Sequence, residues 1–457
     1  MKTPSAAAND TTAPTTRREF LAQGSKVAAG AALASMTPTR GRSADDDMIQ
    51  LALIGSGNRG GGAVRDAFDA TGGLVKLVAM ADLFENRLLT AHQNLADAFG
   101  SRVDVPAERR FIGFEAFKQA IDCLRPGRDI AMLTGYAGFR PHQLEYAVQR
   151  GVNVFMEKSF ATDPLGARRV IRAGEEAEKK GLTIAAGLQC RHSVNRQELI
   201  KRIRDGQLGD IHQIRAYRME ANSPLRPRPA ATSELTWQLQ NFTKFHWVSG
   251  GLWTEMDIHQ VDEICWLKDA WPLSAHGIGG RAANSTDPSQ NLDSFSVEWT
   301  FPDGAKGYDV VRYLPKCHND FVTYVHGTKC AAQFSGRVHA GTVRIFKDQR
   351  CENDNIAWEA PTETKTPWQA QWQVLLDAVR QRRPFNEARR AAYANLAAMM
   401  GRAAVHMGRI ITWQEAMTSN FQWAPDIDRL SFDASPPLTA DAQGRYPVPV
   451  PGQWTEI

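Results

Sequence analysis

The segment "GGLWTEMDIHQVDEICWL" at residues 250–267 combines carboxylates and an imidazole at helical spacing. Glu255 and His259 are four residues apart, and His259 and Asp262 are three apart, so all three side chains share one face of a predicted helix. Asp257 points away from that face. An imidazole titrates near neutral pH, and a carboxylate one turn away can orient it and stabilise its charge. The pattern favours general acid–base chemistry on a hydroxyl group.

Two other interpretations of this segment stay open. Glu255, His259 and Asp262 are all metal-ligand types, although the segment has no paired histidines at metal-binding spacing. A structural network is also compatible, since neighbouring side chains can satisfy a buried histidine. Acid–base chemistry is favoured over both, and no metal is expected.

A lysine follows a predicted buried strand in "VNVFMEKSF", residues 152–160. Lys158 stands beside Glu157 at the carboxyl end of this strand. A lysine in such a place is usually solvated or paired with a nearby acid, here Glu157. This strand end is also expected to adjoin a ligand pocket, for the reasons given next, and Lys158 is therefore predicted to be functional.

A glycine-rich turn follows the first predicted strand in "MIQLALIGSGNRGGGAVRDAF". Gly55, Gly57 and Gly60 fit the spacing G-x-G-x-x-G. Glycines are needed there for a tight turn, for close approach of the backbone to a pyrophosphate, and for packing of the next helix on the strand. The phosphates would lie at the amides of that helix, where its dipole favours negative charge.

The second predicted strand, "LVKLVAMAD", ends in Asp82, which is 25 residues after Gly57. An acid at this place can accept hydrogen bonds from the ribose hydroxyls of the adenosine and repel a 2′-phosphate. Asp82 therefore favours NAD over NADP. The alternative is that Asp82 caps the helix predicted in "LFENRLLTAHQNL".

Strands and helices continue to alternate up to about residue 188. The predicted strands "RDIAMLTG" and "LTIAAGLQ" end near Thr134 and Gln189, and Asp163 with Pro164 begins a helix. Such alternation predicts an α/β class with a doubly wound parallel sheet over residues 48–188. Ligands bind such sheets at the carboxyl ends of the strands, where the candidates of this half lie: Gly55 to Gly60, Asp82, Thr134, Glu157, Lys158 and Gln189.

Residues 189–457 have a different pattern. A helix is followed by several strands with alternating polar and apolar residues, and then by further helices. We expect an α+β domain with an open, mainly antiparallel sheet and flanking helices. Thr412 and Glu415 form the signature of a capping box.

Together, "GSGNRG", "AD" at 81–82, "EKS" at 157–159 and "GGLWTEMDIHQVD" at 250–262 resemble the glucose–fructose oxidoreductase and inositol dehydrogenase (Gfo/Idh/MocA) family. The resemblance spans nearly all of the chain from Met48 onward. It implies a Rossmann domain that binds NAD(P), a C-terminal domain whose open sheet often mediates oligomers, and oxidation or reduction of sugars and polyols.

The resemblance also implies roles for individual residues. Lys158 would bond the reacting hydroxyl, His259 would transfer its proton, and Glu255 stands where many members have aspartate. The cofactor-binding residues that we expect are Gly55, Gly57, Asn58, Arg59, Gly60, Asp82, Arg87, Thr134, Glu157 and Gln189.

The chain departs from the family pattern at three places. Ser159 replaces a proline that often follows a cis peptide bond. The extra methylene of Glu255 is expected to change the reach of the pocket. In "TGYAGFRPH", where members commonly have Thr-x-Pro, Thr134 can still serve, and Tyr136 and Phe139 are expected to shape the pocket.

Composition narrows the function classes. The chain has 457 residues and a net charge of only +4, with no basic run, so nucleic acid is not an expected partner. The six cysteines are scattered and form no C-x-x-C pair, which indicates free thiols. We expect a carbohydrate or polyol substrate and a homo-oligomer.

The first 47 residues have the pattern of a twin-arginine export signal and linker. Arg17 and Arg18 precede a short Ala/Gly-rich stretch that Lys26 interrupts, which is too weakly apolar for a stable membrane span. The protein is therefore expected in the periplasm or otherwise exported. Because released NADH would not be recycled there, we hypothesise that the enzyme keeps its NAD through every turnover.

A retained cofactor permits two cycles. A donor sugar could be oxidised and an acceptor then reduced, or one sugar could be oxidised, lose its aglycone by elimination and be reduced again. A third hypothesis is a non-catalytic sugar-binding protein with a structural dinucleotide.

Overall fold

The computed structural model describes residues 48–336 and 342–457, and the predicted export signal lies outside them. The first sheet has six parallel strands in the order β3-β2-β1-β4-β5-β6. Their bounds are β1 Ile49–Ile54, β2 Val75–Asp82, β3 Arg110–Ile112, β4 Ile130–Leu133, β5 Asn153–Met156 and β6 Ile184–Ala186. This is the order of a dinucleotide-binding sheet, with its crevice where the order reverses between β1 and β4.

The helices of the first half connect these strands. They are α1 Asn58–Thr71, α2 Glu85–Phe99, α3 Ala116–Asp122, α4 Arg140–Gln149 and α5 Pro164–Lys179. Asp163 caps α5 by accepting a hydrogen bond from the Gly166 amide at 2.8 Å, and Pro164 is the first helical residue, as predicted. Strands β1, β2, β4, β5 and β6 are almost entirely buried because helices cover both faces of the sheet, whereas the edge strand β3 is partly exposed.

The second sheet has nine strands in the order β14-β13-β12-β11-β7-β10-β9-β8-β15. Within the described strands, β7 and β10 pair in parallel and the other neighbours are antiparallel. The bounds are β7 Ile211–Met219, β8 Ser274–Gly280, β9 Ser294–Thr300, β10 Lys306–Arg312, β11 Asp320–Gly327, β12 Ala331–Ser335, β13 Arg344–Phe346, β14 Ile356–Glu359 and β15 Ile411–Thr412. The predicted fold class is confirmed for both sheets.

The helices of the second half lie against both sheets. They are α6 Val194–Arg204, α7 Glu234–Gln240, α8 His246–Ser249, α9 Gly251–Lys268, α10 Pro367–Gln381, α11 Ala388–Met407 and α12 Trp413–Thr418. The predicted capping box of Thr412 and Glu415 begins α12. None of the described helices is long and apolar enough to cross a membrane.

Helices α10 and α11 return to the first half of the chain. Trp372 of α10 packs against Phe155 of β5 with ring centroids 4.6 Å apart, and α11 packs on α5. The boundary predicted at residues 188 and 189 falls between the strands of the two sheets. The helical segment 367–407 nevertheless contributes to the cores of both.

Two irregular segments pack together beside the first sheet. We call residues 222–248 the flap and residues 419–457 the tail. The flap contains α7 and all of α8 except its last residue, Ser249, and the tail has one short 3-10 turn at Ile427–Arg429. Both contribute to an apolar cluster that is separate from the cores of the sheets.

The end of the tail is tied to α11. Among the described residues, the metal-ligand atoms of His246, His406 and Glu456 lie within 4.8 Å of one another. Arg402 Nε lies 2.7 Å from Glu456 Oε1, and His406 Nδ1 lies 2.8 Å from Glu456 Oε2. Because a guanidinium already neutralises this carboxylate, the group is an ion-paired anchor for the chain end.

Candidate active site

A cavity of 1020 Å³ lies at the carboxyl ends of the strands of the first sheet. Its volume is in the range of a cofactor together with a small substrate. Polar and glycine residues that follow these strands line it: Gly55, Ser56, Gly57, Asn58, Arg59, Gly60, Asp82, Arg87, Thr134, Tyr136, Glu157 and Lys158. Later parts of the chain complete the wall with Arg226, Gln240, Phe242 and Glu255.

The glycine turn is shaped by contacts that exclude side chains. Gly55 has φ +95°, and a Cβ built on it would lie 2.4 Å from the Gly135 nitrogen. A Cβ on Gly60 would lie 2.1 Å from the Gly55 oxygen. At Gly57, by contrast, a Cβ would meet no described atom within 4 Å. Gly57 therefore opens a space between the backbone and the cavity, and α1 begins at the next residue. This is the arrangement that a pyrophosphate requires.

Asp82 ends β2 and supports the same turn. Its carboxylate accepts hydrogen bonds from the Ser56 amide at 2.6 Å and the Phe84 amide at 2.8 Å. Burial raises the pKa of Asp82, which these backbone amides oppose. The side chain bonds the loop before α2 but is not its N-cap, which is Phe84. Asp82 also lines the cavity, and its role in binding a cofactor ribose stays a prediction.

Charged residues are paired along the wall. Arg59 Nε donates to Glu157 Oε1 at 2.6 Å, and Arg59 also bonds Asp66 at 3.1 Å. Arg87 donates to the Tyr136 hydroxyl at 2.6 Å. Burial raises the pKa of Tyr136 to about 12, so the phenol stays neutral. Arg59 is therefore paired with two acids, whereas the hydrogen bond of Arg87 is to a neutral phenol.

Lys158 and Glu255 meet at one side of the cavity. Lys158 Nζ donates to Glu255 Oε1 and to the Glu255 main-chain oxygen, both at 2.7 Å. The Lys158–Ser159 peptide bond is cis, and the Ser159 hydroxyl donates to the Thr254 main-chain oxygen at 2.8 Å. The serine thus bonds the strand end to α9. Both charged side chains remain partly exposed, at 17% and 13%, so a substrate hydroxyl can reach them.

Not every predicted residue lines the cavity. Gln189 is buried in a 3-10 turn, and His259 is buried one turn beyond Glu255; neither is part of the cavity wall. The helix α9 meets the cavity near its N-terminal end, and its later turns lie within the core. Asp262 forms a bidentate ion pair with Arg191, at 2.9 and 2.8 Å. The role of His259 stays a prediction.

Arg140 is a residue of the site that the sequence did not reveal. It is almost fully buried and donates to the main-chain oxygens of Leu133, Gly135 at 2.7 Å, and Ser159 at 3.4 Å. Burial lowers the pKa of Arg140 to about 10, so it remains a cation. Arg140 joins the loops after β4 and β5. Its position before Pro141 is typical of a helix start and gives no sign of this.

A buried carboxyl on β10 lies under α9. Asp309 is fully buried, and neither of its oxygens has a hydrogen-bond partner among the described residues. Burial raises the pKa of Asp309 well above its usual range; Asp257 acts in the same direction, and Arg218 opposes them. A carboxyl with a raised pKa in the folded state destabilises the fold as pH rises above its unfolded-state pKa.

Asp309→Asn is therefore expected to stabilise the protein, by about 1–3 kcal/mol at about pH 8 and by less at about pH 5, because the amide cannot ionise. Urea unfolding at the two pH values measures this difference. Asp205 is exposed, so Asp205→Asn is the control; it should leave the urea unfolding curves at both pH values unchanged. An Asp309→Asn effect that is equal at both pH values would contradict the assignment of a buried, titrating carboxyl.

The comparisons with known proteins agree with this architecture. Residues 197–333 match the model of the GFO/IDH/MocA C-terminal domain. No curated protein sequence matches the chain. A similar structure is aldose-aldose oxidoreductase from Caulobacter crescentus complexed with glycerol, with a TM-score of 0.63 and 18% identity; the match covers 80% of this chain and 99% of that one.

Two inositol dehydrogenases are also similar. Myo-inositol 2-dehydrogenase from Lactobacillus plantarum has a TM-score of 0.60 and 19% identity. Scyllo-inositol dehydrogenase from Lactobacillus casei, with bound NAD(H) and scyllo-inositol, has a TM-score of 0.59 and 18% identity. Each match covers 80% of this chain and 99% of the other. The chain thus shares the fold of these structures, and residues 197–333 are similar to the GFO/IDH/MocA C-terminal domain.

Proposed function

We propose that this protein is an oxidoreductase of the Gfo/Idh/MocA family that transfers hydride between NAD(H) and a secondary alcohol of a sugar or polyol. The observation that carries the proposal is one cavity in which the glycine turn and Asp82 lie together with the Lys158–Glu255 pair. The similarity of residues 197–333 to the family's C-terminal domain supports it. So does the shared fold with an aldose oxidoreductase and two inositol dehydrogenases.

The chain's own residues fit a dinucleotide. The open space at Gly57 and the start of α1 suit the pyrophosphate, and the carboxylate of Asp82 suits the ribose hydroxyls of NAD. The carboxylate would repel the 2′-phosphate of NADP. A dinucleotide held by these residues would supply the acceptor for the hydride of the substrate carbon.

Lys158 binds the substrate hydroxyl group, and Glu255 positions Lys158. The Lys158 ammonium donates a hydrogen bond to the substrate oxygen, where it stabilises the negative charge that develops as the proton leaves. Glu255 holds the ammonium in place through its carboxylate and its main-chain oxygen. The alcohol loses one hydride and one proton and becomes a carbonyl; the base that receives the proton is proposed to be His259, from the family resemblance.

Export and cofactor retention belong to the same proposal. Residues 1–47 carry the twin-arginine pattern, and retained NAD would let an exported enzyme work without a cytoplasmic pool. At a typical association rate of about 10⁶ M⁻¹ s⁻¹, nanomolar affinity gives a dissociation rate of about 10⁻³ s⁻¹, or minutes. Retention therefore requires tighter binding or a physical cover over the cofactor.

The resulting cycle oxidises one sugar and reduces another on the same NAD. The similar fold of an aldose-aldose oxidoreductase supports this over glycoside cleavage. A chromogenic glycoside tests the choice, because only oxidation, elimination and re-reduction would release the aglycone. Release of the aglycone would contradict the sugar–sugar cycle.

The open face of the second sheet is the surface that we propose for a homo-oligomer. Ile278 of β8 is 78% exposed there, although most isoleucines are buried. Light scattering of the purified protein gives the molar mass, and a value that corresponds to a single chain would contradict this part of the proposal.

The first test needs no substrate. The protein is purified without added nucleotide and unfolded, and the released small molecules are identified by mass spectrometry. About one equivalent of NAD per chain is expected. A preparation that is empty and also fails to bind added NAD would overturn the proposed function and favour a carbohydrate-binding protein.

A further inference from the structure

The flap and the tail share one apolar core. Its buried members come mainly from these two segments and are Phe139, Leu235, Trp237, Leu239, Phe245, Trp247, Val248, Ala424 and Tyr446. Partly buried neighbours from the first half of the chain, including Leu83, Phe84 and Phe114, pack against it. We call the flap and residues 423–446 of the tail together the cap. Because its two parts bury one continuous core, each depends on the other for its position.

A hydrogen-bonded group joins the two parts of the cap. The Tyr446 hydroxyl donates to Glu234 Oε1 at 2.5 Å, and the Ala440 amide donates to the same oxygen at 3.0 Å. Gln238 Nε2 donates to the Leu438 main-chain oxygen at 2.7 Å. Tyr446 itself is buried, and burial together with the nearby Glu234 carboxylate raises the pKa of its phenol. The phenol therefore keeps its proton, and its hydrogen bond to a carboxylate is of the strong, charge-assisted kind.

The tail is also fixed beyond this contact. Trp423 Nε1 donates to the Thr162 main-chain oxygen at 3.1 Å. Asp428 forms an ion pair with Arg169 at 2.8 Å. The chain end is anchored through Glu456, as described above. The tail is thus fixed to the rest of the protein both before and after the residues that contact the flap.

The cap forms part of the cavity wall. Arg226, Gln240 and Phe242 of the flap line the cavity, and Phe242 packs against Tyr136 with ring centroids 5.2 Å apart. In the tail, Phe432 packs on Phe114, another residue of the cavity wall, with ring centroids 4.8 Å apart. The flap therefore forms part of the cavity wall directly, and the tail contacts a wall residue from behind.

We propose that the cap is the device that retains the dinucleotide, and that Tyr446 is the latch that holds its two parts closed. This inference rests on the proposed function, since it concerns release of the same cofactor. Release requires the flap to separate from the tail, because the flap forms part of the wall and is packed and hydrogen-bonded to the tail. Tyr446 does not line the cavity, so it acts on release through the flap and is a positioning residue.

The test is Tyr446→Phe, which keeps the ring in the core and removes the hydroxyl. Tyr308→Phe is the matched control, because Tyr308 on β10 also bonds a glutamate, Glu298, in the second sheet. The dissociation rate of NAD is measured by trapping released NAD with an excess of a scavenging enzyme. Tyr446→Phe is expected to raise this rate on the order of tenfold, and Tyr308→Phe to leave it unchanged.

Hydrogen exchange of the protein without added cofactor supplies a second readout. In Tyr446→Phe, amides of the flap and of residues 423–446 should exchange faster together, while those of β1 and β2 should not change. Faster exchange in both parts with an unchanged NAD dissociation rate would overturn the retention role. If only the tail exchanged faster, Tyr446 would not be the residue that holds the flap and the tail together. If the wild-type protein binds no NAD, the proposed function fails, and the retention role fails with it.

Discussion

Lys158→Met is expected to lower kcat by about a thousandfold or more while leaving NAD binding within about twofold of wild type. Methionine keeps the length and most of the volume of lysine but cannot donate a hydrogen bond to the substrate oxygen. The loss is large because the ammonium acts on the oxygen whose negative charge grows during the reaction. It also leaves Glu255, which is 13% exposed, without its cationic partner.

The measurement is single-turnover reduction of enzyme-bound NAD by the best sugar or polyol from a screen. Lys306→Met is the matched control, because Lys306 Nζ also bonds a carboxylate, Glu298 Oε1, at 2.7 Å, but on the second sheet. The control should retain wild-type activity. If Lys158→Met kept a tenth of the wild-type rate, Lys158 would not be the residue that bonds the reacting hydroxyl.

Gly57→Val is expected to weaken NAD binding by about a hundredfold or more without lowering the thermal unfolding temperature. Gly57 has φ −71° and ψ −176°, an extended backbone that valine adopts readily. Its Cβ would meet no described atom within 4 Å, so the folded protein has room for the side chain. That room is the space that we assign to the pyrophosphate, and the two methyl groups of valine would fill it.

The neighbouring glycines show why position 57 is the informative one. A Cβ on Gly55 or Gly60 would lie within 2.4 Å of backbone atoms, so substitutions there would disturb the fold as well as the site. Gly280→Val on the second sheet is the control, because a Cβ there also meets no described atom within 4 Å. Calorimetric titration with NAD checks both variants. If Gly57→Val bound NAD with wild-type affinity, the assignment of the pyrophosphate to this turn would be wrong.

Local patterns were sufficient to predict five of the six strands of the first sheet and the residues at their carboxyl ends; the short edge strand β3, Arg110–Ile112, was missed. Each of the five predicted strands is a short run of apolar residues that helices cover on both sides, and the residues at its carboxyl end follow directly in the sequence. Asp82 and Lys158 therefore lie where the pattern placed them. Ser159, which departs from the family's proline, bonds α9 through its hydroxyl and leaves Lys158 at the cavity.

Contacts between distant parts of the chain were not predictable in this way. Helical spacing predicted that Asp262 and His259 share a helix face. The carboxylate of Asp262 is instead ion-paired with Arg191, which comes from another element. Arg140 has its role because three main-chain oxygens from two loops converge on it. The cap joins two segments some two hundred residues apart, as in the Gln238–Leu438 bond with a separation of 200 residues. No local periodicity encodes such pairings.

Helix α10 has a consequence for how the protein is made. Its residues Trp372, Leu375 and Leu376 are buried in the same core as β1 and β2, which a ribosome would release some three hundred residues earlier. Helices α1 and α2 cover part of the same face, so during synthesis the first sheet would keep only the α10 part of this face uncovered until most of the chain has emerged. A nascent chain stalled before residue 367 would expose Phe155 and its neighbours to proteases and chaperones, and one stalled after α11 had emerged would not.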